Sequence, residues 1–266
     1  MLSKARIYSG PVLVLGIVQL IESLAFSIPM SYFPNYIIGL GASVASLGLF
    51  TSSFMLASAL MSPKMGEFSD MYGRKKIMIF GIIGDIIIGA LTGLAPSWYW
   101  LLLIRIINGI VSGAAMLSAE ALLIDSVSPY RRGEATGFVM SMGMIGRNIG
   151  PMFGGAIQSL AYSNGLSLVD SYRIPYFVDS AMAVLALVLV VWKIQETREV
   201  HSSTTKKERS MLSLNTVKVP MSFSFKILLF YGFVNGIGVG FIMPIMALFY
   251  NDKFGIEPLE RANSEC

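Results

Sequence analysis

This chain has almost no cysteine, almost no histidine and little charge. Its one cysteine is Cys266 and its one histidine is His201. An intrachain disulfide is therefore impossible, and so is a metal site built from clustered cysteines or histidines. Charged residues make up 14% of the chain, against about 25% in soluble domains. The phosphate-binding pattern G-x-x-x-x-G-K-[ST] is missing, so nothing points to ATP. No Ser/His/Asp set and no paired-carboxylate set stands out, which argues against an enzyme, and no cofactor is implied. What the chain has instead is apolar surface. Apolar residues make up 54% of its 266 residues, and the mean hydropathy is +0.66. That excludes both an ordinary water-soluble globule and a disordered chain. A net charge of +4 then reads as a record of which loops stay inside a membrane, and not as a nucleic-acid signal.

Seven apolar stretches stand out, roughly over 11–39, 44–63, 77–95, 98–126, 134–162, 174–192 and 225–250. Each is long enough to cross about 30 Å of hydrocarbon as a helix. An isolated strand would leave its backbone polar groups unpaired in lipid, and none of the stretches alternates with period two, so a barrel is excluded. Lys4 and Arg6 before the first stretch mimic a signal peptide, but the run to Leu40 far exceeds a signal's apolar core of about 7–15 residues.

The basic residues set the expected topology. Fifteen of the 20 lysines and arginines lie before stretch one and between two and three, four and five, and six and seven. Only Arg173, Lys253 and Arg261 lie on the other side, and Arg105 and Arg147 are inside stretches. That bias places the N-terminus in the cytoplasm of a multi-pass cell-membrane protein. Trp98, Tyr99 and Trp100 make an aromatic anchor at the outer face.

Three units follow: a six-helix bundle over 1–192, a polar linker over 193–224, and a seventh helix with a polar tail over 225–266. Pro29 and Pro244 each precede aromatics, Tyr32-Phe33 and Phe249-Tyr250, so the seventh stretch reads as a second copy of the first. Paired repeats with interrupted helices mark secondary transporters.

Three motifs sharpen this. Gly66-Glu67-Phe68-Ser69-Asp70-Met71-Tyr72-Gly73-Arg74-Lys75-Lys76 resembles the G-x-x-x-D-x-x-G-R-K loop of the major facilitator superfamily. Arg105-Ile106-Ile107-Asn108-Gly109 with Gly113 resembles that family's second motif. Gly146 through Gly150-Pro151-Met152-Phe153-Gly154-Gly155 resembles the motif of its proton-driven antiporters, and Asp125 with Arg131-Arg132-Gly133 its loop between helices four and five. The resemblance implies two six-helix bundles rocking about a central site. It also implies that the loop bearing Gly66, Asp70, Gly73, Arg74 and Lys75 latches the cytoplasmic side. The glycines of stretch five allow close helix approach, and Pro151 frees a carbonyl and kinks the helix.

Charge inside the hydrocarbon marks the candidate cleft. Glu22, Asp85, Arg105 and Arg147 fall in mid-stretch, and each costs about 2.5–3.5 kcal/mol at the bilayer centre unless it faces a cavity or a partner. Gln19, Glu22, Phe26 and Pro29 share one helix face; Arg105, Asn108 and Ser112 share another. Both are expected to line one cleft. Glu22 is the expected proton carrier or receiver of a cationic group, with Arg105 as its switching partner. The alternative is a static ion pair that fixes packing. Arg147 stands where this family has a small or apolar residue; it is read as an anion contact or as a partner for Asp85 or Glu22. Glu120 and Asp125 are read as partners of the basic loops, and Asp179 as a cap or partner of Arg173.

Twelve helices would be usual in this family, and this sequence reads as seven. The tail after Phe254 is polar, so the expected fold is an all-α membrane protein that is truncated, and a second chain or copy could supply the missing helices. The expected function is secondary transport of a small solute, proton-coupled antiport foremost. A proton symporter for a sugar or organic anion, and a nontransporting fragment or partner subunit, are the alternatives.

Overall fold

A computed structural model describes residues 10–30 and 32–197, and beyond them positions 223, 226, 227, 230, 231 and 234. The linker beyond Thr197 and the seventh stretch therefore lie outside the described residues, those six positions aside. Among the described residues all regular structure is helical. The helices are α1 (Pro11–Ser27), α2 (Phe33–Gly39), α3 (Leu47–Tyr72), α4 (Arg74–Gly93), α5 (Trp98–Asp125), α6 (Arg132–Ser163), α7 (Leu168–Ser171) and α8 (Ile174–Lys193). Four spans are long and apolar enough to cross a membrane: Val44–Tyr72, Arg74–Gly93, Trp98–Asp125 and Leu168–Lys193. α1 is apolar but shorter, at 17 residues. α6 is the longest, at 32 residues, yet falls outside those four, because glycines and polar residues dilute its apolar content.

Two expectations need correction. The first stretch is not one helix. It breaks after Ser27 at Ile28–Pro29, and α2 restarts with Pro34 in its first turn. A proline ring removes one ladder hydrogen bond and clashes with the preceding turn, which ends α1 here. The same ring is tolerated at the start of α2, where the N–H has no intrahelical partner anyway. The second correction concerns the Gly66–Lys76 motif, which is hardly a loop. Its first part, through Tyr72, is the final turns of α3, and α4 begins at Arg74. The whole reversal is Gly73, at φ +104°, a left-handed conformation that glycine alone reaches cheaply.

α1 packs between α6 and α8, α4 between α5 and α8, and α3 lies against α5. The core divides by depth. At the end carrying α2 and α7, aromatics dominate: Tyr36 and Phe50 are fully buried, with Tyr32, Tyr172 and Tyr176 around them. At the basic end the core is aliphatic, with Leu15, Met78, Ile82, Leu122 and Val190. The two ends below are called the aromatic end and the basic end.

The α1–α6 seam is the closest approach. Gly146, Gly150 and Gly154 face it, and a Cβ on any of them would collide with the α1 backbone or with Ser27. Ser27 Oγ donates to the Gly146 carbonyl at 3.3 Å. Small residues at this spacing let two backbones meet, which is how helices associate where no hydrophobic effect acts between them. Gly155 sits beside the row, in ordinary contact with the Tyr32 hydroxyl at 3.4 Å. Pro151 lies within α6 without ending it.

Candidate functional site

Two assemblies of charge emerge, one at the basic end and one at mid-depth. The first begins with an electrostatic problem. α4 opens on Arg74-Lys75-Lys76, three cations at the positive end of a helix dipole, with no acid in its first turn and no side chain at its cap, Gly73. The remedy comes from just beyond the C-terminus of α8, at the same end of the bundle. The Glu196 carboxylate accepts from the backbone N–H of Arg74 at 3.0 Å and of Lys75 at 3.1 Å. It sits so close to Gly73 that a Cβ there would lie 2.5 Å from its Oε2. The glycine is thus required twice, for its backbone angle and for room.

Arg74 completes the knot. It pairs with Asp125 at the end of α5, donates to the Ala121 carbonyl at 2.6 Å, and lies 3.8 Å from Asp70. Its side chain is 15% exposed, so these contacts are largely out of water. Lys75 Nζ donates to the Val191 carbonyl at 2.9 Å, near the C-terminus of α8. Thr197 Oγ1 donates to Asp125 at 3.4 Å. Four elements therefore meet on one turn: the end of α3, the start of α4, the end of α5, and α8 with the residues just after it. Gly66 stands apart, in α3, where a Cβ would meet open space.

The second assembly surrounds Glu22. This residue lies roughly 16 Å along α1, and Asp85 about as far along α4. Glu22 interacts electrostatically with Asp85 and Asp179, and Asp85 with Asp179. One oxygen of Glu22, Oε1, is buried and has no hydrogen-bond partner among the described residues. Arg105 interacts with Tyr176 and Asp179. Its guanidinium carbon is 4.0 Å from the centre of the Phe33 ring, a cation–π distance. Arg105 faces Asp179, Tyr176 and Phe33, and the charges acting most strongly on Glu22 are the two aspartates.

Other candidates are placed elsewhere. Gln19 turns into the α1–α6 seam, donating to Ser23 Oγ at 3.0 Å and lying 3.1 Å from where a Gly143 Cβ would be. Gln19 and Arg105 therefore face different neighbours. Asn108 is half-buried on α5. Arg147 is exposed on α6 and forms no ion pair among the described residues, so it joins neither Asp85 nor Glu22 there. Glu120 is exposed and Asp125 is the one that engages the basic turn. Arg173 pairs with Asp170 at 3.5 Å and reaches the Ala95 carbonyl at 3.3 Å, leaving Asp179 to α4 and α5. The residues that sequence reasoning missed are Glu196, Tyr176 and Phe33. Glu196 had one available signal: it is the first acid after α8, at the height where α4 starts uncapped.

Comparison with known proteins adds the following. A family model described as Major Facilitator Superfamily matches residues 15–262. Multidrug resistance protein 3 of Bacillus subtilis (strain 168) is 30% identical over 184 residues, 66% of this chain and 34% of that protein. Multidrug resistance protein MdtG of Enterobacter lignolyticus (strain SCF1) is 30% identical over 243 residues, 87% of this chain and 53% of that protein. The chain spans about half the length, or less, of these two curated relatives. Among solved structures, a bacterial homolog of the human lysosomal transporter Spinster, inward-facing and unoccupied, matches with a TM-score of 0.71 at 21% identity. That match covers 98% of this chain and 59% of the other. The human organic anion transporter MFSD10 matches with a TM-score of 0.58 at 23% identity, over 71% of this chain and 48% of the other. At these identities the solved structures speak for the fold alone.

Proposed function

The chain belongs to the Major Facilitator Superfamily, and from that premise we propose that it forms the N-terminal half of a proton-coupled antiporter that exports apolar or cationic small solutes. It is a multi-pass membrane protein, and its role in this reading is transport and not catalysis. The basic end faces the cytoplasm, in line with the excess of Lys and Arg in the loops there. The turn at Gly73 is then the cytoplasmic latch, holding α3, α4, α5 and the end of α8 as one body while that body rotates against its counterpart.

Glu22 carries the proton. The observation behind this is its buried, unpartnered Oε1 at mid-depth, beside two aspartates. An acid in hydrocarbon is a functional group by default, since nothing else offsets its insertion cost. A carboxyl with a free lone pair is open to a proton or to a cationic solute, and exchange between the two is antiport. The relatives named for multidrug resistance favour export; they are proteins of about twice this length, and a counterpart half belongs to the working unit in this reading.

The exposed Arg147, in no ion pair among the described residues, favours a second reading, symport of a proton with an organic anion. Proteoliposomes under an imposed proton gradient separate the two. Antiport predicts that a lipophilic cation moves against the proton flux. Movement of an organic anion with the protons, lost in Arg147→Ala, would establish symport instead.

A further inference from the structure

Asp179 was expected to serve Arg173, and it does not. It lies on α8 where that helix meets α4 over Gly89. A Cβ on Gly89 would sit 2.5 Å from Ser180 Oγ and 3.2 Å from Asp179 Oδ2, so the carboxylate is laid against the α4 backbone. Ser180 Oγ fixes the register by donating to the Ile86 carbonyl at 3.0 Å. Asp85 is one turn away on the same face of α4. Glu22 comes from α1, which also packs on α8, and it interacts with both aspartates. None of the three carboxyls makes an ion pair among the described residues, and the cation that acts on Asp179 is Arg105. Tyr176, one turn before Asp179 on α8, is 3% exposed, and its hydroxyl faces the Arg105 guanidinium. It interacts with Arg105 and Asp179 and so is aimed into the same space. The ring of Tyr36, on α2, lies 5.5 Å from it, with its own hydroxyl donating to the Thr92 carbonyl. From α6, the ionisable side chains Arg132, Glu134, Arg147 and Tyr162 are all exposed. From α7, Asp170 is taken by Arg173 and Ser167.

The charge inventory is therefore three carboxyls beside one guanidinium. One carboxylate is balanced by Arg105. The others need protons, because two unbalanced negative charges held close in low dielectric repel each other strongly. We propose that Asp179, Asp85 and Glu22 form one proton-binding cluster, centred on the α4–α8 contact, with Arg105 as its counter-charge and the Tyr176 hydroxyl as the donor that bridges to it. A proton leaving one carboxyl is taken by a neighbouring carboxylate, so the total charge changes only when a proton enters or leaves the cluster. The use of those protons rests on the transport reading above; the existence of the cluster does not.

The test is an infrared titration of the full chain in lipid nanodiscs, following the C=O stretch of protonated carboxyls. Asp179→Asn is expected to remove one titrating band and to displace the midpoints of those that remain by about one pH unit, the mark of coupled groups. Asp179→Glu should keep the number of bands. If Asp179→Asn does not fold, Asp85→Asn carries the same test from the other side. Unchanged midpoints in the folded variants, or no band lost with Asp179→Asn, would overturn the proposal. Proton release on adding tetraphenylphosphonium to the same samples tests transport separately: coupled bands without release would defeat that reading and leave the cluster standing.

Discussion

The two charged assemblies handle burial in opposite ways. At the basic end, Arg74 is held by Asp125, Asp70 and a backbone carbonyl, and the helix start beneath it is capped by Glu196. At mid-depth, three carboxyls and one guanidinium stand near one another without an ion pair among the described residues. The first arrangement ties four elements together and gains from staying closed. The second leaves lone pairs open, which costs stability and is useful only if something comes and goes. In the proposed reading, fixed charges are paired and charges that exchange are held without an ion pair.

The largest way to break this contrast is Glu22→Gln. It keeps size and polarity but removes the exchangeable proton. Proton-driven solute flux in proteoliposomes should fall by at least about 100-fold, the usual worth of a positioned proton-transfer group, while the melting temperature holds or rises. A large loss of stability would mean that Glu22 was structural after all.

Arg74→Ala should do the reverse. It strands Asp125, whose side chain is 31% exposed. A fully buried pair would cost about 3–5 kcal/mol to break; the partial exposure brings the expectation to about 2 kcal/mol, seen as a lowered unfolding midpoint. Glu196→Ala comes next, at about 1 kcal/mol for a lost helix cap. Its local signature should be faster amide exchange at Arg74 and Lys75. Arg131→Ala is the smallest. Its pair with Glu134, at 3.6 Å, is exposed on both sides, and such pairs are worth within about 0.5 kcal/mol. A loss from Arg131→Ala as large as that from Arg74→Ala would erase the distinction between latch and surface.

Much of the fold was legible because membrane helices announce themselves by length and composition. The break at Pro29 was visible as a proline yet unread, since an apolar run says nothing of where its ladder is interrupted. Gly146, Gly150 and Gly154 were legible as a packing face from spacing alone. The partners within each assembly were less so. Glu196 is more than 100 residues from the helix it caps, and Asp179 is more than 50 residues from Arg105's own helix; periodicity gives the face of a helix, not which helix lies opposite. Arg105 and Glu22 were both singled out, but not that α8 supplies the acid that Arg105 faces in this structure.

The most direct measurement is proton release on solute binding. The full chain, in weakly buffered nanodiscs with a pH-sensitive dye, is mixed with tetraphenylphosphonium. The account predicts release of protons in proportion to the cation bound, and none from Glu22→Gln. Binding of the cation with no proton release by the unaltered chain would contradict it.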